Sequence, residues 1–319
     1  MNKDIRLDFI RTMAIIFVVL IHSMGLINDT PETINILIIK GLYSLIYVGV
    51  PLFVMLSGAL LLGKEEPLKL FFKKRFHRVL IPFFIWSIIV SLIHFFQNGG
   101  HNFLKWPPLF TKELFGNGVH TIYWYIYMIL GLYILTPILR CIAKDAKLLT
   151  YSIITCFGLY YLQYFLPEFS FANRFQFQNL LFIGYFLTGY FLYISKLNIR
   201  VKRSLKIFFI IFYFIQVLFT VIKVNFSLIP FIAISLFGAM LSIGPTKSNL
   251  FQAVISTISN YSYGIYLSHF ILISIILKTQ IVSKSPLIVE PIVMGIIVIL
   301  LDIVLLHFIK KINLSKFFM

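Results

Sequence analysis

Asp8-Phe-Ile-Arg11-Thr-Met-Ala-Ile-Ile-Phe-Val-Val-Leu-Ile-His22 decides how this chain is read. Nothing between Arg11 and His22 is charged. At about 100° and 1.5 Å per residue, a helix returns to nearly the same angle over this spacing, with the two Cα atoms about 16 Å apart along the axis. Arg11 and His22 therefore share one face. In a membrane span, that face carries a cation near one surface and an imidazole well inside. Ionisable groups are costly in hydrocarbon and commonly mark a functional path. Asp8, one turn before Arg11, is placed to orient the guanidinium, and histidine is the side chain suited to deprotonating a hydroxyl near neutral pH. The structural alternative is a snorkelling arginine and a histidine paired inside a helix bundle.

The rest of the composition agrees with a span. Of 319 residues, 60% are hydrophobic and 12% charged, and the mean hydropathy is +0.94. A water-soluble domain of this length needs a far more polar surface. The first apolar run is of spanning length with no small-residue cleavage pattern after it, so it reads as a span and not a cleaved leader. The net charge of +17 would suit nucleic acid in a soluble protein. Here most basic residues lie in short connections between apolar runs, so the expected partners are membrane lipids and an anionic cosubstrate, not nucleic acid. Cys141 and Cys156 have neither metal-ligand spacing nor a disulfide framework, and no metal is expected.

The apolar runs predict an all-α integral membrane protein, a bundle of about ten transmembrane helices. They fall near 8–27, 42–62, 79–97, 120–140, 148–166, 178–195, 205–223, 226–244, 261–279 and 287–309. The seventh and eighth are parted mainly by Lys223 and Asn225, which predicts a tight hairpin, and Pro137 and Pro230 are expected to kink their helices. With the N-terminus inside, 21 of the 28 Lys and Arg residues fall on the inner side. That bias predicts that both termini are cytoplasmic. Two outer loops, 98–119 and 167–179, are rich in amides and aromatics, which suits either a sugar-like ligand or an ordinary solvated loop. No internal repeat or separate soluble domain is visible, so residues 1–319 read as one transmembrane domain.

Three further clusters carry chemistry. Lys73-Lys74-Arg75-Phe-His-Arg78 precedes the third run. Arg75 and Arg78 stand one turn apart, spaced either to grip phosphates with two guanidinium forks or simply to hold the inner side. Tyr123-Trp124-Tyr125 opens the fourth run, as an interfacial aromatic belt or a platform for a sugar ring. Ser262-Tyr-Gly-Ile-Tyr266-Leu-Ser-His269 puts a second histidine inside the ninth, with Tyr266 on the same face. Glu290 and Asp302 also need polar partners there.

Together these segments resemble the integral-membrane acyltransferase 3 family. The matching features are Arg11-(ten residues)-His22, Arg75-x-x-Arg78, Pro51-Leu-Phe-Val-Met-Leu-Ser57-Gly58 in the second run, and Gly264-Ile-Tyr-Leu-Ser-His269. Trp124-Tyr125 stands where such proteins often carry Trp-Phe. The resemblance is to the members without an esterase-like domain after the last run, so the acceptor chemistry is expected to fall to the membrane part.

The resemblance implies transfer of an acyl group, usually acetyl, from cytoplasmic acetyl-coenzyme A to a hydroxyl of a cell-envelope glycan or lipid-linked saccharide. The implied setting is a bacterial plasma membrane. His22 is expected to act as general base or as transient nucleophile, with Asp8 holding Arg11, and Arg75 and Arg78 holding the donor phosphates. Trp124, Tyr266 and His269 are expected at the acceptor or the thioester carbonyl. The rival reading is a transporter or flippase of a lipid-linked saccharide, which needs a polar conduit but neither an Arg–His line nor a phosphate grip.

Overall fold

The computed structural model describes residues 4–25, 33–116, 118–165, 178–195, 197–243, 248–279 and 289–319. Among them every regular element is helical. The helices are α1 (Ile5–Met24), α2 (Thr33–Ile46), α3 (Gly49–Leu61), α4 (Leu68–Gln97), α5 (Trp106–Phe115), α6 (Trp124–Lys144) and α7 (Ala146–Phe165). There follow α8 (Gln178–Ile194), α9 (Ile199–Val221), α10 (Ile229–Leu241), α11 (Asn249–Thr279), α12 (Val289–Lys311) and the single turn α13 (Ser315–Phe318).

Against the expected bundle of about ten, 7 segments among the described residues are long and apolar enough to cross a membrane. They are Ile5–Met24, Ile38–Leu61, Leu68–Gln97, Thr121–Lys144, Ile199–Val221, Asn249–Thr279 and Glu290–Lys311. The other expected segments are shorter apolar helices, Ala146–Leu162, Asn179–Ile194 and Ile229–Leu241.

Where boundaries differ from the sequence reading, the backbone explains it. α4 begins at Leu68 and not near 79, because a helical hydrogen-bond ladder runs through Lys73, Lys74 and Arg75 as readily as through leucine. The 42–62 run is broken between α2 and α3. Pro51 has no N–H to give the Tyr47 carbonyl, which interrupts the ladder there. α5 rises within the loop expected at 98–119, with prolines in its first turn, where no intrahelical donor is needed. Pro230 sits in the first turn of α10, whereas Pro137 and Pro82 lie inside α6 and α4.

Packing divides the chain into two units, each built from separated stretches. The first comprises Met1–Glu65, Leu135–Asn260 and Ser285–Ile292. Its centre is α3, which packs against α8 and α1, while α8 also packs against α7. The α3–α8 crossing is as close as backbones allow. A Cβ built on Gly58 would stand 1.8 Å from the Phe186 carbonyl oxygen, and one on Gly189 would stand 1.9 Å from the Met55 carbonyl oxygen. Small residues at such crossings let helix backbones touch, which replaces the hydrophobic drive that lipid cannot supply.

Helix ends in this unit are closed by side chains. Asp4 caps α1, accepting from the Arg6 N–H at 3.0 Å, and its hydrogen bonds from the Arg6 guanidinium hold its carboxyl below the ordinary carboxylate range. Arg140 Nε and Nη2 donate to the Leu61 carbonyl at the end of α3, at 3.1 and 3.0 Å. α9 and α10 form a hairpin through Lys223, which takes a φ of 59°. Buried Gln216 closes it, its Oε1 accepting from the Leu228 N–H at 2.5 Å and its Nε2 donating to Thr220 Oγ1 at 3.2 Å.

The second unit comprises Glu66–Ile134, Tyr261–Lys284 and Val293–Met319. Within it α4 packs against α5 and α13. Trp106 Nε1 donates to Ser91 Oγ at 3.1 Å, and Ser91 donates to Glu113 at 2.7 Å, tying α5 to α4. Three tyrosines pin helices to one another through backbone carbonyls. Tyr263 donates to Val79 at 2.7 Å, Tyr123 donates to Leu267 at 3.0 Å, and Tyr266 donates to Ile122. All three hydroxyls are thereby satisfied away from water.

Candidate functional site

The predicted site residues fall into two groups, one in each unit. In the first unit, α1 carries Asp8, Arg11 and His22. Asp8 is buried at 3% exposure, and its Oδ1 lies 3.4 Å from Arg11 Nη1. Ser259 of α11 completes the cluster, receiving a hydrogen bond from Arg11 Nη1 at 3.0 Å and donating to Asp8 Oδ1 at 2.7 Å. One turn further on, Thr12 donates to the Ile255 carbonyl at 3.0 Å. The guanidinium is thus held by charge and by a hydroxyl, on a helix fixed in rotation. Burying a carboxylate demands such company, because alone it would be strongly destabilising. His22 is in the last turn of the same helix, half-buried.

The second unit holds Arg75, Arg78, Trp124, Tyr266 and His269. Arg75 is half-buried in the first part of α4. Its Nη2 lies 3.3 Å from Glu66 Oε1, and its guanidinium sits over the Phe71 ring at 5.5 Å from the centroid. Lys74 reaches the other Glu66 oxygen at 3.2 Å. The Arg75 Nε–H is buried and meets no acceptor among the described residues. Arg78 is exposed one turn later, with no ion pair or hydrogen bond to a described residue. One partly satisfied and one open guanidinium on the same helical face suit a polyanion, which can take up donors left without acceptors.

His269 is fully buried in α11. Its Nδ1 lies 3.0 Å from the Ile265 carbonyl and 2.8 Å from the Tyr266 carbonyl. Carbonyls only accept, so Nδ1 carries the proton and Nε2 the lone pair. Tyr266 places its ring 5.4 Å from Tyr125 and 6.0 Å from His269, while its hydroxyl proton is committed to Ile122. Trp124 is 46% exposed, edge-on to Tyr125.

Several participants escape a sequence reading. Ser259 and Glu66 complete the environments of Arg11 and Arg75. Ser268 donates to fully buried Asp302 Oδ1 at 2.5 Å, so the intramembrane aspartate finds its partner on α11. His120 lies 3.9 Å, ring to ring, from Phe270. Asn173, Arg174 and Gln176, read as an outer ligand-facing loop, lie outside the described residues. Among the described residues no three His, Cys, Asp or Glu side chains are grouped to hold a metal ion.

Seven apolar helices of spanning length among the described residues, taken with a family match, support a multi-pass membrane acyltransferase. The family model described as an acyltransferase domain matches residues 4–307, nearly the whole chain, and the chain belongs to this acyltransferase 3 family. No curated protein and no solved structure is matched.

Proposed function

We propose that residues 1–319 form one acyltransferase domain that moves an acetyl group from acetyl-coenzyme A to a hydroxyl of a cell-envelope glycan or lipid-linked saccharide. The setting is a bacterial plasma membrane, with about ten crossings and both termini cytoplasmic. The observation that carries this reading is the arginine pair: among the described residues the buried Arg75 Nε–H lacks an acceptor and the Arg78 side chain, one turn away, has no partner. Donors of this kind fit the phosphates of coenzyme A, whose thioester supplies the acyl group.

In this mechanism Arg75 and Arg78 hold the donor by its phosphates. His22 removes the proton from the acceptor hydroxyl as the new C–O bond forms at the acyl carbon. The C–S bond breaks, and His22 returns the proton to the departing thiolate. In the nucleophilic version an imidazole nitrogen of His22 attacks the thioester carbon, the C–S bond breaks and the departing thiolate takes the ring proton. The acceptor oxygen then attacks the acyl carbon, the C–N bond breaks and the hydroxyl proton returns to the ring. Asp8 and Ser259 position Arg11 on the helix that carries His22. Trp124 offers the acceptor sugar a stacking face. His269 presents Nε2 as an acceptor, and Tyr266 positions that helix through Ile122.

Thiol release from acetyl-coenzyme A by the purified protein tests the reading directly. A protein that moves a lipid-linked saccharide yet releases no thiol would be a transporter. Arg75→Ala and Arg78→Ala should each weaken donor binding by about 1.5–3 kcal/mol, the range for a lost charge-assisted contact. Lysine at either position should restore it only in part, lacking the planar fork. Unchanged affinity in both folded alanine variants returns the pair to a purely topological role.

The side on which the donor binds is tested independently. Reporter fusions after Gly63, Lys147 and Lys202 should report cytoplasm, and fusions near Asn98 and Ser170 should report the outside. Reversal of either set overturns the proposed entry side.

A further inference from the structure

Four helix ends in the first unit line an open cavity of about 290 Å³ that holds none of the residues assigned to acyl transfer. It is lined by Arg6 from the first turn of α1, Tyr193 from the last turn of α8, Lys202 from the start of α9, and the apolar side chains of Leu192, Leu197 and Leu241. α8 and α10 carry no charged residue and α9 none beyond Lys206, so the cavity sits where the apolar lengths give way to charge.

Asp4, paired with Arg6, is the one acidic group against its lining among the described residues, and the rest of the charge there is basic. No acidic residue occurs between Glu168 and Glu290. Lys202 is half-buried, and its ammonium has no ion pair or hydrogen bond among the described residues. Arg200, Arg203 and Lys206 flank it on the same helix, all exposed. Arg6 shares its Nε and Nη2 with Asp4, at 3.0 and 2.8 Å, and gives Nη1 to the Leu241 carbonyl at 3.3 Å. Of its five N–H groups, two are left over. Ser195 and Ser242, also in the lining, donate back to their own helices at 2.6 and 2.7 Å, so the cations and not the hydroxyls give the cavity its selectivity.

α9, which supplies Lys202, is the candidate span with the least burial, at 6%. It exposes Ile207, Ile211, Phe214 and Leu218 along its length. A charged cavity at one end of a bare apolar helix matches a molecule with an anionic head and hydrocarbon tails. Basic pockets between membrane helices are a recurrent way of holding phospholipid headgroups.

We propose that this cavity binds the phosphate headgroup of an anionic phospholipid, with Lys202 and Arg6 on the phosphate and the acyl chains along α9. Its lining includes neither His22, Arg75 nor Arg78, so its test does not depend on catalysis.

The full-length protein in neutral detergent is titrated with phosphatidylglycerol, phosphatidylcholine and soluble glycerol 3-phosphate, and retained ligand is read by native mass spectrometry. Phosphatidylglycerol should be retained in preference to phosphatidylcholine. Lys202→Gln should weaken phosphatidylglycerol binding about fivefold and Lys202→Glu about 25-fold, the effect of losing and then reversing one near-surface charge. Lys202 makes no contact that the fold depends on, and lipid-free melting of both variants should match wild type. Equal retention of the two lipids, or unchanged phosphatidylglycerol binding in Lys202→Glu, overturns the proposal. Displacement of the lipid by equimolar glycerol 3-phosphate would also overturn it, in favour of a soluble phosphate ligand.

Discussion

His22→Ala is expected to abolish acyl transfer in a protein that still folds and still binds donor. His22 stands at the end of a helix whose other end is fixed by Asp8, Arg11 and Ser259. Its loss leaves that cluster intact, so the effect should fall on the chemical step. Removal of a general base slows a reaction by about 10²–10⁴-fold. A nucleophilic His22 makes the loss more complete and gives the wild type a slow donor hydrolysis without acceptor. Mass spectrometry of quenched enzyme, searched for an acyl group on His22, separates the two versions. Near-normal turnover by the folded variant would sink both. His269, with its proton on Nδ1 and its lone pair on Nε2, would then be tested as the base.

The largest structural effect should come from two glycines. Gly58→Ala and Gly189→Ala each place a methyl group within 2 Å of a backbone oxygen on the opposing helix, at 1.8 and 1.9 Å. No rotamer relieves such a clash, and α3 and α8 have to separate. Overpacking of a well-fitted core costs about 1–3 kcal/mol, and a displaced backbone puts these substitutions at or beyond the upper end. Melting in detergent should show a large fall for each variant. The double substitution should cost less than the sum, since one separation relieves both contacts. Gly158→Ala, with nothing within 4 Å of the added carbon, is the control and should melt like wild type. Wild-type melting of both crossing variants would mean that the helices do not meet so closely.

What the sequence could disclose was set by distance along the chain. The apolar runs, and the Asp8–Arg11 pairing one turn apart, follow from periodicity alone. The start of α4 was hidden because Lys73, Lys74 and Arg75 look like a loop when helices are sought by hydropathy. The start of α5 was visible in principle, since Trp106-Pro-Pro puts prolines where helices begin, but its setting among glycines and asparagines concealed it. Ser259 was beyond reach, lying 248 residues from Arg11, and a serine in an apolar helix announces nothing. Glu66 was nearer, yet only the turn before α4 brings it under Arg75. The break between α2 and α3 could have been read from Pro51 by counting back four residues to the carbonyl that loses its donor.

The 13 residues of α10 have a consequence for the membrane itself. At 1.5 Å per residue they rise about 20 Å, some 10 Å less than the hydrocarbon thickness of an ordinary bilayer. Most of α10 is buried, so protein and not lipid covers the shortfall. Polar backbone just before its first turn is met by Gln216, which accepts from the Leu228 N–H, and by Tyr161, which donates to the Ser227 carbonyl at 2.9 Å. Unwound main chain is tolerated at membrane depth only inside protein or beside a water-filled space. A crossing built on α10 would therefore be insulated over a length about a third shorter than the surrounding lipid, shortening the path of anything polar beside it.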